Sequence, residues 1–273
     1  DFHDSWDLDG TDYTPEVAPD DEGYWDDFEN VVLNGNYEEL GSEQLTNGDF
    51  ATDSGWTKGT GWSISGGVAI SDGSSSYSFL QQTSSILNSK TYKISYSVTS
   101  YTSGSVEVGV GGTSNNNIQR NSVGDFVEYH TSNGTNLTII SRNLIGSIDN
   151  VSVKQVDPND RWTLTGGTSI SDGKMTVTGA SGTSLGFQGI LVQGTAYELT
   201  YTISNFSLSS GNTGVINDAG TTIQSISGNG TFTVVFTHAI ASGNLIFRAT
   251  SGTNSYQVDN VTVREYAITP QGV

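Results

Sequence analysis

One phrase occurs twice in this chain. Residues 62–73 read WSISGGVAISDG and residues 162–173 read WTLTGGTSISDG, identical at seven of twelve positions. Two further phrases return in the same order: YKISYSV (92–98) as YELTYTI (197–203), and IDNVSV (148–153) as VDNVTV (258–263). The offsets grow from 100 to 105 to 110, the drift that small loop insertions produce. A repeat of this period predicts two copies of one structural unit.

Each phrase has the pattern of a strand. YKISYSV alternates apolar with polar residues, so Tyr92, Ile94, Tyr96 and Val98 share one face. WSISGGVAISDG reads as a hairpin turned by Gly-Gly. VEVGV (106–110), FVEYHT (126–131), LTIIS (137–141), FTVVFTH (232–238) and LIFRAT (245–250) add further short strands, separated by turn residues. Thr, Val, Ile and Tyr suit half-buried strands, and Gly, Asn, Asp and Ser suit tight turns. The expected fold is therefore all-β, two tandem β-sandwich or jelly-roll domains. The first is expected over 44–155 and the second over 161–266. Residues 156–160 (VDPND) link them and 267–273 form a stub. The second copy shows no counterpart of the NGDF phrase (47–50) and is expected to begin one strand later.

Charge divides the chain differently. Residues 1–43 carry 15 acids and no Lys or Arg; the other 230 residues carry 14 acids and 10 bases, and the net charge is −19. Residues 1–43 are read as an extended acidic arm, with a short hairpin expected around Asn34-Gly35. Phe2, Trp6, Tyr13, Tyr24, Trp25 and Phe28 stud this arm. A solvated tail needs no such rings, so they are read as anchors that dock the arm on a neighbour. A linker in a larger protein is the plainer alternative. So acidic a chain repels phosphate, so no nucleic-acid partner is expected. No apolar run reaches membrane-spanning length, and no membrane partner is expected.

The phrases LTNGDFATDSGWTKGTGWSIS (45–65), TYKISYSV (91–98) and GSIDNVSVKQVDPNDRW (146–162) resemble the jelly-roll modules of the carbohydrate-binding 4/9 type. They resemble more closely the copies of that module found in structural proteins of tailed bacteriophages, marine ones especially. The resemblance implies a virion-surface protein: a capsid decoration, a head fibre or a tail-fibre component. It would contact other virion proteins through the arm and form a homo-oligomer, with a trimer favoured. A carbohydrate-binding adhesin that takes a host-surface glycan, or the subunit of a bacterial surface filament, are the alternatives. The resemblance also implies a structural calcium bridging the opening segment and the last strand, where this chain offers Asp49 and Asp149. Asp149 and its repeat partner Asp259 could equally cap turns.

Catalytic patterns are weak, and a non-enzymatic role is expected. There is no cysteine, and the three histidines (3, 130, 238) are scattered. Residues 182–186 spell G-T-S-L-G, but no helical pattern follows, as a nucleophile elbow requires. Glu107, Glu128 and Glu198 lie in strand patterns and are read as solvent-facing partners of Lys and Arg. Among the rings that could stack on sugars, Trp62 and Trp162 share one repeat position and are read as core. Trp56 and Tyr101 sit in loop-like surroundings and are the candidate sugar platform.

Overall fold

The chain folds as an all-β protein in a computed structural model, which describes residues 29–266 except 85, 112–117, 180–181, 208–212, 218–219, 251 and 253. Its strands build two sandwiches. The first uses β1 (Leu40–Glu43), β2 (Thr57–Lys58), β3 (Trp62–Ser65), β4 (Val68–Asp72), β5 (Ser78–Thr83), β6 (Thr91–Val110), β7 (Gly124–Thr131) and β8 (Asn136–Val156). Strands β6 and β8 are 20 and 21 residues long and serve both layers. The first half of β6 pairs with β7 and with the second half of β8, which also pairs with β4 and β1. The second half of β6 pairs with the first half of β8, beside β5 and β2. The register of β6 on β8 slips repeatedly between Ser95 and Ser105, the bulges that let one ladder turn a corner.

The second sandwich repeats this plan with the corner strands cut. Its strands are β9 (Thr163–Thr165), β10 (Ser169–Ser171), β11 (Lys174–Thr178), β12 (Ser184–Gly189), β13 (Ala196–Ser207), β14 (Thr213–Asn217), β15 (Thr222–Ser225), β16 (Gly230–Thr237), β17 (Asn244–Ala249) and β18 (Ser255–Glu265). One sheet runs β10-β11-β18-β13-β16 and the other β15-β14-β17-β12-β9. Alternation builds both cores. Tyr92, Ile94, Tyr96 and Val98 fill the first; Tyr197, Leu199, Tyr201 and Ile203 fill the second. Tyr92 and Tyr197 play the same part, each hydroxyl accepting a backbone N–H from five residues earlier (Leu87, 2.7 Å; Val192, 2.9 Å). Burial pushes the Tyr201 phenol up to about 12.

Two sequence expectations are corrected by the ladder. The repeat is not in the register of the WSISGG and WTLTGG phrases. The β3–β4 hairpin turns at Gly66-Gly67 and matches the β10–β11 hairpin, which turns at Asp172-Gly173. All four turn residues have φ between 52° and 76°, as a type I′ turn requires. The offset is then 106, and Trp162 is the partner of Trp56, not of Trp62. Both indoles donate to a backbone carbonyl, Trp56 to Asn47 (3.0 Å) and Trp162 to Asn34 (3.1 Å). Each packs on a ring, Phe50 at 5.2 Å and Tyr37 at 5.3 Å.

The second correction concerns residues 30–37, which are neither arm nor hairpin. They are the opening segment of the second sandwich, placed in the sequence ahead of the whole first one. Residues 43–50 open the first sandwich, and the correspondence runs atom for atom. Gly48 accepts the Val151 N–H and Gly35 the Val261 N–H, both at 2.9 Å. A Cβ at either glycine would collide with the carbonyl oxygen of that same valine. Gln82 brackets the backbone N–H and C=O of Thr46, and Gln188 those of Leu33. Glu43 accepts from Val153 (2.8 Å) as Asn30 does from Val263 (2.9 Å). Val32 and Tyr37 are buried in the second core. The connecting Asp157, itself buried, locks the arrangement by accepting from the Asn34 amide and from the Trp162 N–H, both at 3.0 Å. The second copy therefore has its NGDF counterpart, written NGNY at 34–37.

The two cores also solve the same packing problem oppositely. Ala69 and Leu80 are both fully buried in the first core. Their counterparts are Met175 and Gly186, and a Cβ on Gly186 would run into the Met175 thioether. Volume removed from one strand is restored by the next.

Candidate binding face

The arm anchors Phe2, Trp6, Tyr13, Tyr24, Trp25 and Phe28 lie outside the described residues, as does the 267–273 stub. Trp56 is not a platform: it is 8% exposed, belongs to the first core and uses its indole N–H internally. No local pattern marks this, because the repeated phrases align Trp162 with Trp62 and leave Trp56 without a partner. Trp62 and Trp162 are both core, as expected. Tyr101 is half-buried against the first core, its hydroxyl donating to the Gly104 carbonyl (3.1 Å). Asp49 accepts the Ala51 N–H (3.4 Å) and Asp149 the Asn150 N–H (2.6 Å). Asp259 repeats the second pattern with Asn260 at 2.7 Å. Both Asn residues have φ above 50°, so these aspartates hold a left-handed bulge in each last strand. Among the described residues no three acidic or histidine side chains converge as a metal set.

The face that gathers chemistry is the outside of the β5–β8–β6 layer of the first sandwich. Alternation points Tyr77, Phe79 and Gln81 outward, beside Thr138, Ile140 and Arg142 on β8 and Glu107 on β6. Thr138, Ile140 and Glu107 are buried and form the floor, and Ile140 lies outside both cores. Tyr77 is 43% exposed at one end. Arg142 donates from Nε (2.5 Å) and Nη2 (3.2 Å) to the two carboxylate oxygens of Glu107. Its guanidinium also lies 5.3 Å from the centre of the Tyr77 ring. Hydrogen bonding to Glu107 raises the pKa of Arg142, so the guanidinium stays charged. Gln81 donates to Thr138 Oγ1 at 3.0 Å. The corresponding face of the second sandwich has Gly214 in place of Glu107 and buries Ile216 and Ile246 there.

Glu107 and Glu128 thus correct the expectation of solvent-facing acids: both are arginine partners, but buried ones. Glu128 points into the first sandwich with its side chain 1% exposed. It accepts from the Tyr96 hydroxyl (2.8 Å) and Arg120 Nε (2.9 Å) and bonds His130 Nε2 (2.9 Å). Burial pushes this carboxyl upward, but the hydrogen bonds from His130, Tyr96 and Arg120 outweigh it and hold the pKa below the usual range. Ser184, the centre of the G-T-S-L-G string, is a fully buried strand residue whose hydroxyl donates to the Thr178 carbonyl (2.6 Å). Among the described residues no helix is long and apolar enough to cross a membrane.

No family model and no curated protein matches the chain. Among solved structures it is similar to the tandem CBM22-1–CBM22-2 domain of Paenibacillus barcinonensis Xyn10C. That match has 11% identity and a TM-score of 0.28, over 84% of this chain and 98% of the other. Allantoicase from Saccharomyces cerevisiae matches at 9% identity and a TM-score of 0.31, over 90% and 98%.

Proposed function

We propose that the protein is a non-enzymatic adhesive and structural component of a virion surface. The acidic arm fastens it to neighbouring virion proteins, and the outer face of the first sandwich takes a carbohydrate. The array of Tyr77, Arg142 and Glu107 carries the binding half. A sugar ring offers an apolar C–H face and hydroxyls that both donate and accept. A half-exposed tyrosine ring suits the first, and the free edge of a guanidinium held in place by the buried Glu107 suits the second. The pair is already assembled, so little side-chain entropy is lost on binding. Glycoside hydrolysis wants two carboxylates across a bond. Among the described residues this face carries Glu107 alone, tied to an arginine, an arrangement that suits a binding role. The virion half rests on the resemblance of about residues 45–266 to bacteriophage copies of the module, and on the concentration of acids in residues 1–43.

A glycan array probed with the full chain, followed by titration of the best ligand, tests the binding half. Tyr77→Ala and Arg142→Ala are each expected to weaken affinity by about tenfold or more, the effect of losing one charged hydrogen bond or ring contact. No retained glycan, or a Tyr77→Ala variant that binds like the parent, refutes it. Removing residues 1–28 leaves every described strand in place. That deletion is expected to spare glycan affinity and to abolish co-sedimentation with the virions; an armless protein that still co-sediments sinks the attachment half.

A further inference from the structure

Beyond the connecting residues around Val156 and Asp157, the β7 face of the first sandwich meets the β10–β11 turn of the second. Tyr129 points outward from β7, packs against the second core and lies near the backbone of Asp172 in the β10–β11 turn. Beside it Lys90 pairs with Asp160 (2.5 Å).

Each half of this junction has a bare counterpart on the other sandwich. Tyr129 pairs with Lys93 as Val235 pairs with Glu198, so Val235 on β16 stands where Tyr129 stands, and it is 47% exposed. The counterpart of the Asp172-Gly173 turn is Gly66-Gly67, and a Cβ built on either glycine meets nothing within 4 Å. The changes on the two bare surfaces also match. Lys90 is replaced by Thr195, and its partner Asp160 by Ser54. A tyrosine beside a turn's backbone becomes a valine facing a turn without side chains. The Lys90–Asp160 ion pair of the inner junction is thus replaced on the outer surfaces by two hydroxyls, which need no charged partner.

We infer that copies of this chain associate head to tail, the β16 face of one second sandwich (Val235, Thr195) receiving the Gly66-Gly67 turn of the next copy's first sandwich. The contact is heterologous, so it closes into a ring or grows into a filament according to the rotation per step. It extends the internal repeat across molecules, as solenoid repeats extend by stacking. It is independent of the glycan-binding face, which uses other residues.

The chain has no cysteine, which gives a clean background for crosslinking. Ser65, exposed beside the turn, and Val235 are each changed to cysteine in the full chain. Mild oxidation of the Ser65→Cys/Val235→Cys variant is expected to give a ladder of disulfide-linked species that reduction collapses. Each single variant is expected to stay unlinked. Dimers from Val235→Cys alone would show face-to-face contact and overturn the inference, as would the absence of a ladder from the double variant. Light scattering gives the second arm. Val235→Lys is expected to reduce the assembly to single chains without shifting the thermal melt. A single-chain mass for the unmodified protein, or an unchanged assembly for Val235→Lys, overturns it.

Discussion

Tyr37 is the most direct probe of the fold's order. It lies ahead of the first sandwich in sequence and is 1% exposed in the core of the second, its ring against Trp162. Tyr37→Ala removes a fully buried aromatic, which costs about 3–5 kcal/mol. Its neighbours are held from several directions: Asn34 by Asp157, Gly35 by Val261 and Leu33 by Gln188. The site therefore collapses poorly, and the upper half of that range applies. Hydrogen exchange read by mass spectrometry separates the two sandwiches. Protection of the β11 and β18 amides is expected to fall by at least about a hundredfold, the lower bound that 3 kcal/mol implies. Protection in β4 and in residues 145–153 of β8 is expected to hold. Exchange that rises first in β4 and β8, or equally throughout, refutes the assignment of residues 30–37 to the second sandwich. Tyr37→Phe sharpens the test with the opposite sign. The Tyr37 hydroxyl is buried without a partner, and Phe50 occupies the same place in the first sandwich. Its removal is expected to leave stability unchanged or slightly raised.

Two further perturbations follow from the cores. Gly186→Leu alone is expected to unfold the second sandwich more readily, and adding Met175→Ala is expected to recover most of the loss by restoring the Ala69/Leu80 solution; a double-mutant cycle in urea with no coupling would refute this. Glu128 has its folded pKa below the unfolded one, so its stabilisation is complete above the unfolded carboxylate range and is lost as pH falls through the folded value. The stability advantage of the parent over Glu128→Gln is expected to shrink on acidification below about pH 5, and an advantage that grows there contradicts the hydrogen-bond account.

The strands were readable from alternation because it has a single physical cause, one face buried and one wet. The inward Tyr-x-Ile/Leu-x-Tyr-x rows of β6 and β13 follow it without exception. The register of the repeat was not readable, because Gly-Gly and Asp-Gly serve a type I′ turn equally well. The ISDG strings (70–73 and 170–173) therefore align while lying one strand apart. The ownership of residues 30–37 was hidden for another reason. VLNGNY and LTNGDF share only Asn-Gly, and the acids around VLNGNY blended it into the arm. The contacts that distinguish it, such as the glycine pressed on Val261 and the indole bond to Asn34, are all long-range. Glu107 and Arg142 sit on the outward side of their strands, where a charge is ordinarily solvated. Their burial depends on neighbours that no local pattern names.

The early position of residues 30–37 has a consequence for synthesis. The segment leaves the ribosome before any part of the first sandwich, yet the strand that receives it at Val261 and Val263 is made more than 220 residues later. At about 5–20 residues per second that is a wait of roughly 10–45 s. During it the first sandwich is completed, with a slot of nearly the same shape at Val151 and Val153. Two similar segments, 30–37 and 43–50, are then present while only one slot exists. The tether decides between them: residues 51–56 hold the second segment beside its own tryptophan, while the first has no tryptophan to cap until Trp162 is made. Correct folding of this chain is thus a contest in time as well as in energy, and the nascent protein keeps its earliest segment in reserve for its last strand.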